Sequence, residues 1–444
     1  MSFPRYPAYK PSGVEWLGEV PEHWDVLQSR RMFKARREAA KEGAIMLTAS
    51  QKYGMIPQAE FVEREGRRVV EVIQGKDNLI QVEPDDFVIS MRSFQGGLEW
   101  CRFSGSTSFH YVPVTPIKHV MPCFFAHLLK SDKYISALRS TTNLIRDGQE
   151  IRYSNFVQVP LPIIPVSEQI AIASFLDRET AKIDALIAEQ QRLIELLQEK
   201  RQAVITQAVT KGLNPDAPMK DSGVEWLGEV PEHWRVSPLK HLATIQTGIA
   251  KGKDLEDMET IDVPYLRVAN VQDGYLILDE VHLLAVPVAS IDRYLLNEGD
   301  VLMNEGGDFD KLGRGCIWSG EIAPCVHQNH VFAVRPYSVS GEWLNAYTTS
   351  KAANSYFISR SKQSTNLASI SSTNLMGLPV PLPPAEEARE TLGRLNQLIN
   401  EIDDLKHSAI QAIALLQERR SALISAAVTG QIDVRGLVPE ASAA

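Results

Sequence analysis

Thirteen residues, SGVEWLGEVPEHW, run from Ser12 to Trp24 and recur unchanged from Ser222 to Trp234, 210 positions later in a chain of 444. Chance does not place one 13-mer twice in so short a chain, so the sequence is a duplication. The interval far exceeds that of a solenoid repeat. Each unit must therefore hold a whole domain with its connections, and the chain must fold as two related halves.

The likeness returns late in each half. Val159-Pro160-Leu161-Pro162 matches Val380-Pro381-Leu382-Pro383, and LLQEKRQAVITQAVTKG (Leu196 to Gly212) matches LLQERRSALISAAVTGQ (Leu415 to Gln431). The stretches between, 25–158 and 235–379, have little in common. Each half is thus a constant opening, a variable middle and a constant close. That arrangement suits two different reading heads on one mount. Val14, Trp16, Leu17 and Trp24, with Val224, Trp226, Leu227 and Trp234, are expected to dock each opening segment against the mount.

The closing segments read as long helices. No Pro or Gly interrupts Ser167 to Lys211, and Leu176, Ile183, Ile187, Ile194, Leu197, Val204 and Ala208 fall on a heptad seam with Gln190 and Arg201. The second seam holds Leu392, Leu395, Ile399, Ile402, Ala409, Ile413, Leu416, Leu423 and Ala427, interrupted by Lys406 and Arg420. Arg201 and Arg420 are equivalent, which predicts a pairing or register contact against the alternative of two snorkelling side chains. Prolines 160, 162 and 165, and 379, 381, 383 and 384, stop any helix before each seam. At 1.5 Å per residue such a helix spans about 67 Å, roughly two turns of DNA. With a globular domain between them, the two helices can run antiparallel.

The middles read as strand-rich α+β domains. Asp86 to Ser90, Tyr111 to Val114, Asp300 to Met303 and His330 to Val334 are predicted strands. Asp86 and Asp300 lie 214 residues apart, which predicts a shared fold for the two heads. Polar loops follow these strands: Met91 to Gly97, Asn304 to Gly307, Lys311 to Gly315 and His327 to His330. Arg and Lys can take guanine edges and Asn and Gln adenine edges in bidentate fashion. Candidate DNA contacts are Lys52, Arg92, Ser93, Gln95, Arg146, Lys253, Arg267, Asn304, Lys311, Arg314, Gln328 and Asn329. Ordinary turn chemistry is the competing explanation for each of them.

Net charge is −9 and does not by itself indicate nucleic acid. Its distribution is uneven: residues 25–160 carry 19 Lys and Arg against 15 Asp and Glu, while residues 235–379 carry 12 against 16. DNA binding would therefore need locally placed cations and help from a basic partner. No catalytic motif is complete. Gly248 to Lys253 (GIAKGK) is one residue short of a phosphate-binding loop, and Asp85 and Asp86 have no Glu-x-Lys nearby to make a nuclease site. Cys316, Cys325, His327 and His330 match no common zinc spacing. No metal, cofactor or catalytic residue is expected. The four cysteines form no CxxC pair, and neither a signal-peptide core nor an apolar run of about 20 residues is present, so a cytoplasmic setting without a membrane is expected.

These features resemble the specificity subunit of type I restriction–modification systems. The paired SGVEWLGEVPEHW segments, the VPLP strings before long helices, the Glu168-Gln169-Ile170-Ala171-Ile172-Ala173-x-Phe-Leu176-Asp177 stretch and the LLQEKR/LLQERR tails carry the resemblance, which covers nearly the whole chain. One departure is that Glu168-Gln169-Ile170 corresponds to Glu386-Glu387-Ala388. The resemblance implies an α+β fold with two target-recognition domains separated by two long antiparallel coiled-coil helices, in a pseudo-two-fold repeat. It implies a first recognition domain over 1–166, a helix over 167–211, a linker and second recognition domain over 212–384, a helix over 385–430 and a tail over 431–444.

It further implies a non-catalytic subunit that reads a bipartite double-stranded DNA target, with the helices as a ruler for the spacer. Methyltransferase subunits, restriction/translocase subunits and an adenine-N6 methylating, ATP-dependent cleaving complex are implied partners. Two near-identical mounts predict two methyltransferase copies docked on the helices, whose partner and helix seam is Ile183, Ile187, Ile194, Leu197, Arg201, Ile402, Ile413, Leu416 and Arg420. A coiled-coil scaffold that binds proteins without reading DNA is the alternative. A steep loss of DNA affinity with salt separates the two.

Overall fold

The computed structural model describes residues 3–66, 79–90, 93–142, 151–252, 258–307, 312–313, 315–363 and 368–437. The chain divides into two units, one of residues 1–190 with 411–444 and the other of residues 191–410. Each takes part of both long helices, which span Val166–Lys211 and Ala385–Val428. The mixed α+β class expected from the sequence is present in both.

In the first unit the opening segment makes a hairpin of Tyr9–Pro11 and Glu19–Pro21. The next strand, Asp25–Gln28, pairs with Pro160–Ile163 and so ties the start of the head to its end. Between them lies an antiparallel sheet in the order Phe33–Ala35, Val112–Pro116, Phe87–Ile89, Glu99–Trp100. Two ribbons, Leu47–Ser50 with Gly54–Pro57 and Ile80–Val82 with Gly105–Thr107, stand beside it. Helices Pro122–Leu128, Asp132–Ser140 and Tyr153–Phe156 complete the head. Its core joins Phe33, Phe87, Phe124, Phe125 and Phe156 to Trp24 and to Leu423, Ala427 and Val428 of the second long helix.

The second unit repeats this plan. Met219–Asp221 pairs with Glu229–Pro231, and Arg235–Pro238 with Pro379–Leu382. Its sheet runs Ala243–Thr247, Val331–Pro336, Val301–Asn304, Gly315–Ile317, also antiparallel. In place of the ribbons it has a three-stranded sheet, His282–Pro287, Thr260–Leu266 and Val326–His327, the last pair parallel. Helices Gly341–Thr348, Lys351–Arg360 and Ser372–Met376 follow.

Equivalent polar contacts recur at a spacing of 219 residues. Ser131 caps one helix through Tyr134 N, and Ser350 caps its counterpart through Ala353 N. Asn155 Nδ2 donates to the Thr141 carbonyl at 2.8 Å, and Asn374 Nδ2 to the Arg360 carbonyl at 2.9 Å. The heads therefore share a fold, as the spacing of Asp86 and Asp300 predicts. Both aspartates are 0% exposed and both accept the backbone N–H three residues before them. Their counter-cations come from different strands: Arg36 at 2.7 Å for Asp86 and Arg335 at 2.7 Å for Asp300. A buried carboxylate needs such a partner wherever one can be supplied.

Two expected correspondences shift. The ladders align Asp25↔Ile163 with Arg235↔Leu382, so Pro160 corresponds to Pro379 and the VPLP match is displaced by two residues. By the same spacing Glu168 corresponds to Glu387, not Glu386, while Gln169 and Ile170 correspond to Ala388 and Arg389, so the glutamate is kept and the departure lies at the two residues after it.

Candidate nucleic-acid interface and helix mount

The mount is built on Glu168 and Glu387, each in the first turn of a long helix. Trp24 Nε1 donates to Glu168 Oε1 at 3.0 Å, and His23 Nε2 lies 2.7 Å from Oε2. Trp234 and His233 hold Glu387 at the same 3.0 and 2.7 Å. A carboxylate in the first helical turn also sits well with the helix dipole. The last four residues of the 13-mer, PEHW, thus fasten each opening segment to the helix that closes its own head. The other side of each tryptophan meets the end of the opposite helix. A Cβ on Gly430 would lie 3.0 Å from the Trp24 ring, and one on Gly212 would lie 3.3 Å from the Trp234 ring. Glycine is required there twice over, since both have φ near +74°. In the first unit Tyr6 adds a hydroxyl at 2.6 Å to Glu168, and burial with that acceptor holds its phenol far above the ordinary tyrosine range. The expected docking of Leu17, Trp24, Leu227 and Trp234 is present, all four being buried.

Along the seam, Ile183, Leu197 and Ile402 are buried and Ile187, Ile194, Ile413 and Leu416 partly so. The two seam arginines pair across the helices. Arg420 reaches Asp184 in the first unit at 2.8 and 3.3 Å, and Arg201 reaches Asp403 in the second at 3.6 Å. Asp184 and Asp403 are themselves equivalent by the 219-residue spacing. Within each unit the helix segments therefore run antiparallel. Outside the seam, Leu186 and Leu415 in the first unit and Leu405 and Leu196 in the second are exposed.

The candidate DNA contacts fall into three groups. Arg92, Arg146, Lys253, Lys311 and Arg314 lie outside the described residues, and of Ser93 only the backbone, opening the turn Ser93–Gly96, is described. Lys52 and Gln95 are exposed in the first head. Lys52 sits over the Tyr53 ring at 4.7 Å and 3.2 Å from Glu65, and hydrogen bonding to the Tyr53 side chain and then to Glu65 raises its pKa.

In the second head Arg267 and Gln328 emerge side by side, because the strands before them pair in parallel. Asn329 and His330 follow, with His330 bound to Glu305 at 2.6 Å. Arg267 has no ion-pair partner among the described residues, and its Nε is buried without an acceptor. Lys251, which sequence reasoning passed over, stands over the Tyr265 ring at 5.3 Å near the same strand ends. Asn304 is placed differently: it is 1% exposed and its amide donates to the Val271 carbonyl at 3.0 Å, so it supports the loop from below.

The cysteines and histidines do not assemble a metal site. Cys316 and Cys325 are buried, with burial pushing both thiols up to about 12. His327 Nδ1 donates to the Val331 carbonyl at 2.7 Å. Among the described residues no group of three His, Cys, Asp or Glu could hold a metal, and no helix is long and apolar enough to cross a membrane.

Comparison with known proteins agrees with this organisation. The type I restriction modification DNA specificity domain matches residues 231–415. The EcoKI specificity subunit of Escherichia coli K12 is 23% identical, covering 94% of this chain and 90% of the relative. The MjaVIII specificity subunit of Methanocaldococcus jannaschii is 25% identical, covering 94% and 95%. Among solved structures, the HsdS subunit from Thermoanaerobacter tengcongensis has the same fold, with a TM-score of 0.53 at 15% identity over 93% of this chain and 98% of that one. A chain from a structure of type I R-M complex assembly and conformational transition superposes at 0.62, also at 15% identity, over 92% and 98%.

Proposed function

Because this chain belongs to the type I restriction–modification specificity-subunit family, we propose that each head reads one half of a bipartite double-stranded DNA target. The paired long helices set the unread spacer. One observation carries this reading: the two mounts repeat the same Trp–His–Glu contacts, whereas the loops that leave the shared sheet differ in sequence. A protein that merely joined partners would have no use for unlike loops on a like mount. Lys52 and Gln95 in the first head, and Lys251, Arg267, Gln328 and Asn329 in the second, are the proposed contacts. Each base-reading side chain contributes about 1–3 kcal/mol of discrimination.

The subunit itself is non-catalytic in this reading. Methyltransferase subunits supply adenine-N6 methylation and restriction subunits supply ATP-driven cleavage. Two methyltransferase copies bind per chain. Support comes from exposed positions that folding does not constrain. Glu15, Glu19 and Glu22 are exposed and identical to Glu225, Glu229 and Glu232, and the exposed Leu186 and Leu196 of the first helix are repeated as Leu405 and Leu415 of the second. Neither repetition serves a core, so both are read as partner contacts.

Exchange of residues 25–158 for the corresponding segment of a relative tests the reading. Mapping of methylated sites is expected to show one half of the target changed and the other kept. A target altered throughout, or unaltered, would refute it.

A further inference from the structure

The first head holds a pocket of about 370 Å³ whose lining includes none of the proposed DNA contacts. Tyr53 and Trp100 line it, Met55 and Ile56 are its buried apolar residues, and Arg64 and Arg102 stand at its edge. Arg102 lies over the Trp100 ring at 4.4 Å and Arg64 over the Tyr53 ring at 5.0 Å. Arg64 also bonds Glu60, but Arg102 is exposed and has no ion-pair partner among the described residues. An aromatic ring and not an acid positions it, so its donors remain available to a ligand oxygen. Lys130 is fixed nearby, 2.5 Å from Glu99 and 3.1 Å from the Gln51 carbonyl.

We propose that this pocket receives a nucleobase turned out of the duplex, stacked on Trp100 and met at its polar edge by Arg102. Aromatic faces and guanidinium planes are what unstacked bases use, and the volume suits a planar heterocycle. The location fits as well. Lys52, a candidate contact, lies over the ring of Tyr53, which lines the pocket, and Gln51 beside it packs on Gly96, next to Gln95. The sheet register equates Trp100 with Ile317, through Phe87↔Trp100 and Val301↔Ile317. The second head therefore lacks the stacking ring, and the device belongs to one half of the target only.

The inference rests on DNA reading by the heads, and the test separates the two. 2-Aminopurine is placed at successive positions of both half-targets and the spacer, in DNA bound by the full chain assembled with its methyltransferase subunits. Fluorescence is expected to rise severalfold at one position of the first head's half, apart from any rise at the methylated adenines. Arg102→Ala and Trp100→Leu should abolish that rise and leave the signal at the methylated adenines unchanged. Arg102 is exposed, so its variant keeps the head folded if the tryptophan variant does not. No extra position, or a rise that survives Arg102→Ala, overturns the pocket. Weakened subunit assembly in Arg102→Ala with the rise intact would assign the pocket to a protein side chain and equally overturn it. Binding without regard to sequence would overturn the DNA reading itself.

Discussion

His327 is fully buried beneath the second head's polar loop, with Nδ1–H given to the Val331 carbonyl and Nε2 facing the Gln246 amide at 3.4 Å. Burial lowers its pKa from the ordinary 6.5, although the Val331 carbonyl and Asp300 oppose the shift. The native state then binds fewer protons than the unfolded chain as pH falls through about 6.5. Stability of the second head is therefore expected to decline below that pH and to hold above it. His327→Gln should flatten the decline. Urea unfolding of the full chain between neutral pH and pH 5 measures this, and equal slopes in both proteins would disprove it. Single residues were also where sequence reading was weakest. Asn304 looked like a base reader and is buried, because nothing local distinguishes a strand's last buried residue from the first residue of its loop. The VPLP match failed by two residues for a related reason. A two-residue slip keeps the same pleat phase, so string identity cannot detect it, whereas the ladder can.

At the scale of elements the long helices were legible because heptads need only composition and spacing. Their pairing partner was not, since Asp184 and Asp403 lie off the seam and become partners only once the helices are set side by side. The prolines before each helix mark more than a break. Pro160 and Pro162 occupy alternate positions of a two-stranded ribbon, so their missing donors point to the free edge, where no bond is lost. The two Arg–Asp pairs are partly exposed, and each contributes only about 0.5 kcal/mol. Their value is register: a slip of one heptad separates both pairs at once. Charge reversal of Arg420→Asp is expected to cost about 1 kcal/mol, counting the repulsion it creates. Combining it with Asp184→Arg should recover most of that loss. A thermal double-mutant cycle reads the coupling, and additive losses would show that the pair sets nothing.

For the molecule as a whole, duplication was visible because thirteen residues had not diverged, and the division of labour followed from where divergence began. The proposed partner surfaces were less visible, because an exposed leucine in a helix resembles any other until its equivalent is found. Leu186 at 45% exposure repeats as Leu405 at 56%, and Leu196 at 45% as Leu415 at 66%. Each unit carries one leucine from each pair, so the proposed function assigns one docking face to each unit. Leu186→Glu with Leu415→Glu is expected to remove one methyltransferase copy and leave the other. Leu405→Glu with Leu196→Glu should do the same for the second, and all four together should remove both. Since none of these side chains enters the buried seam, helix content by circular dichroism should not change. Native mass spectrometry of the assembled complex counts the copies directly. Two copies retained in either double variant would place the docking surface elsewhere, with the exposed, identical glutamates of the opening segments as the next candidates.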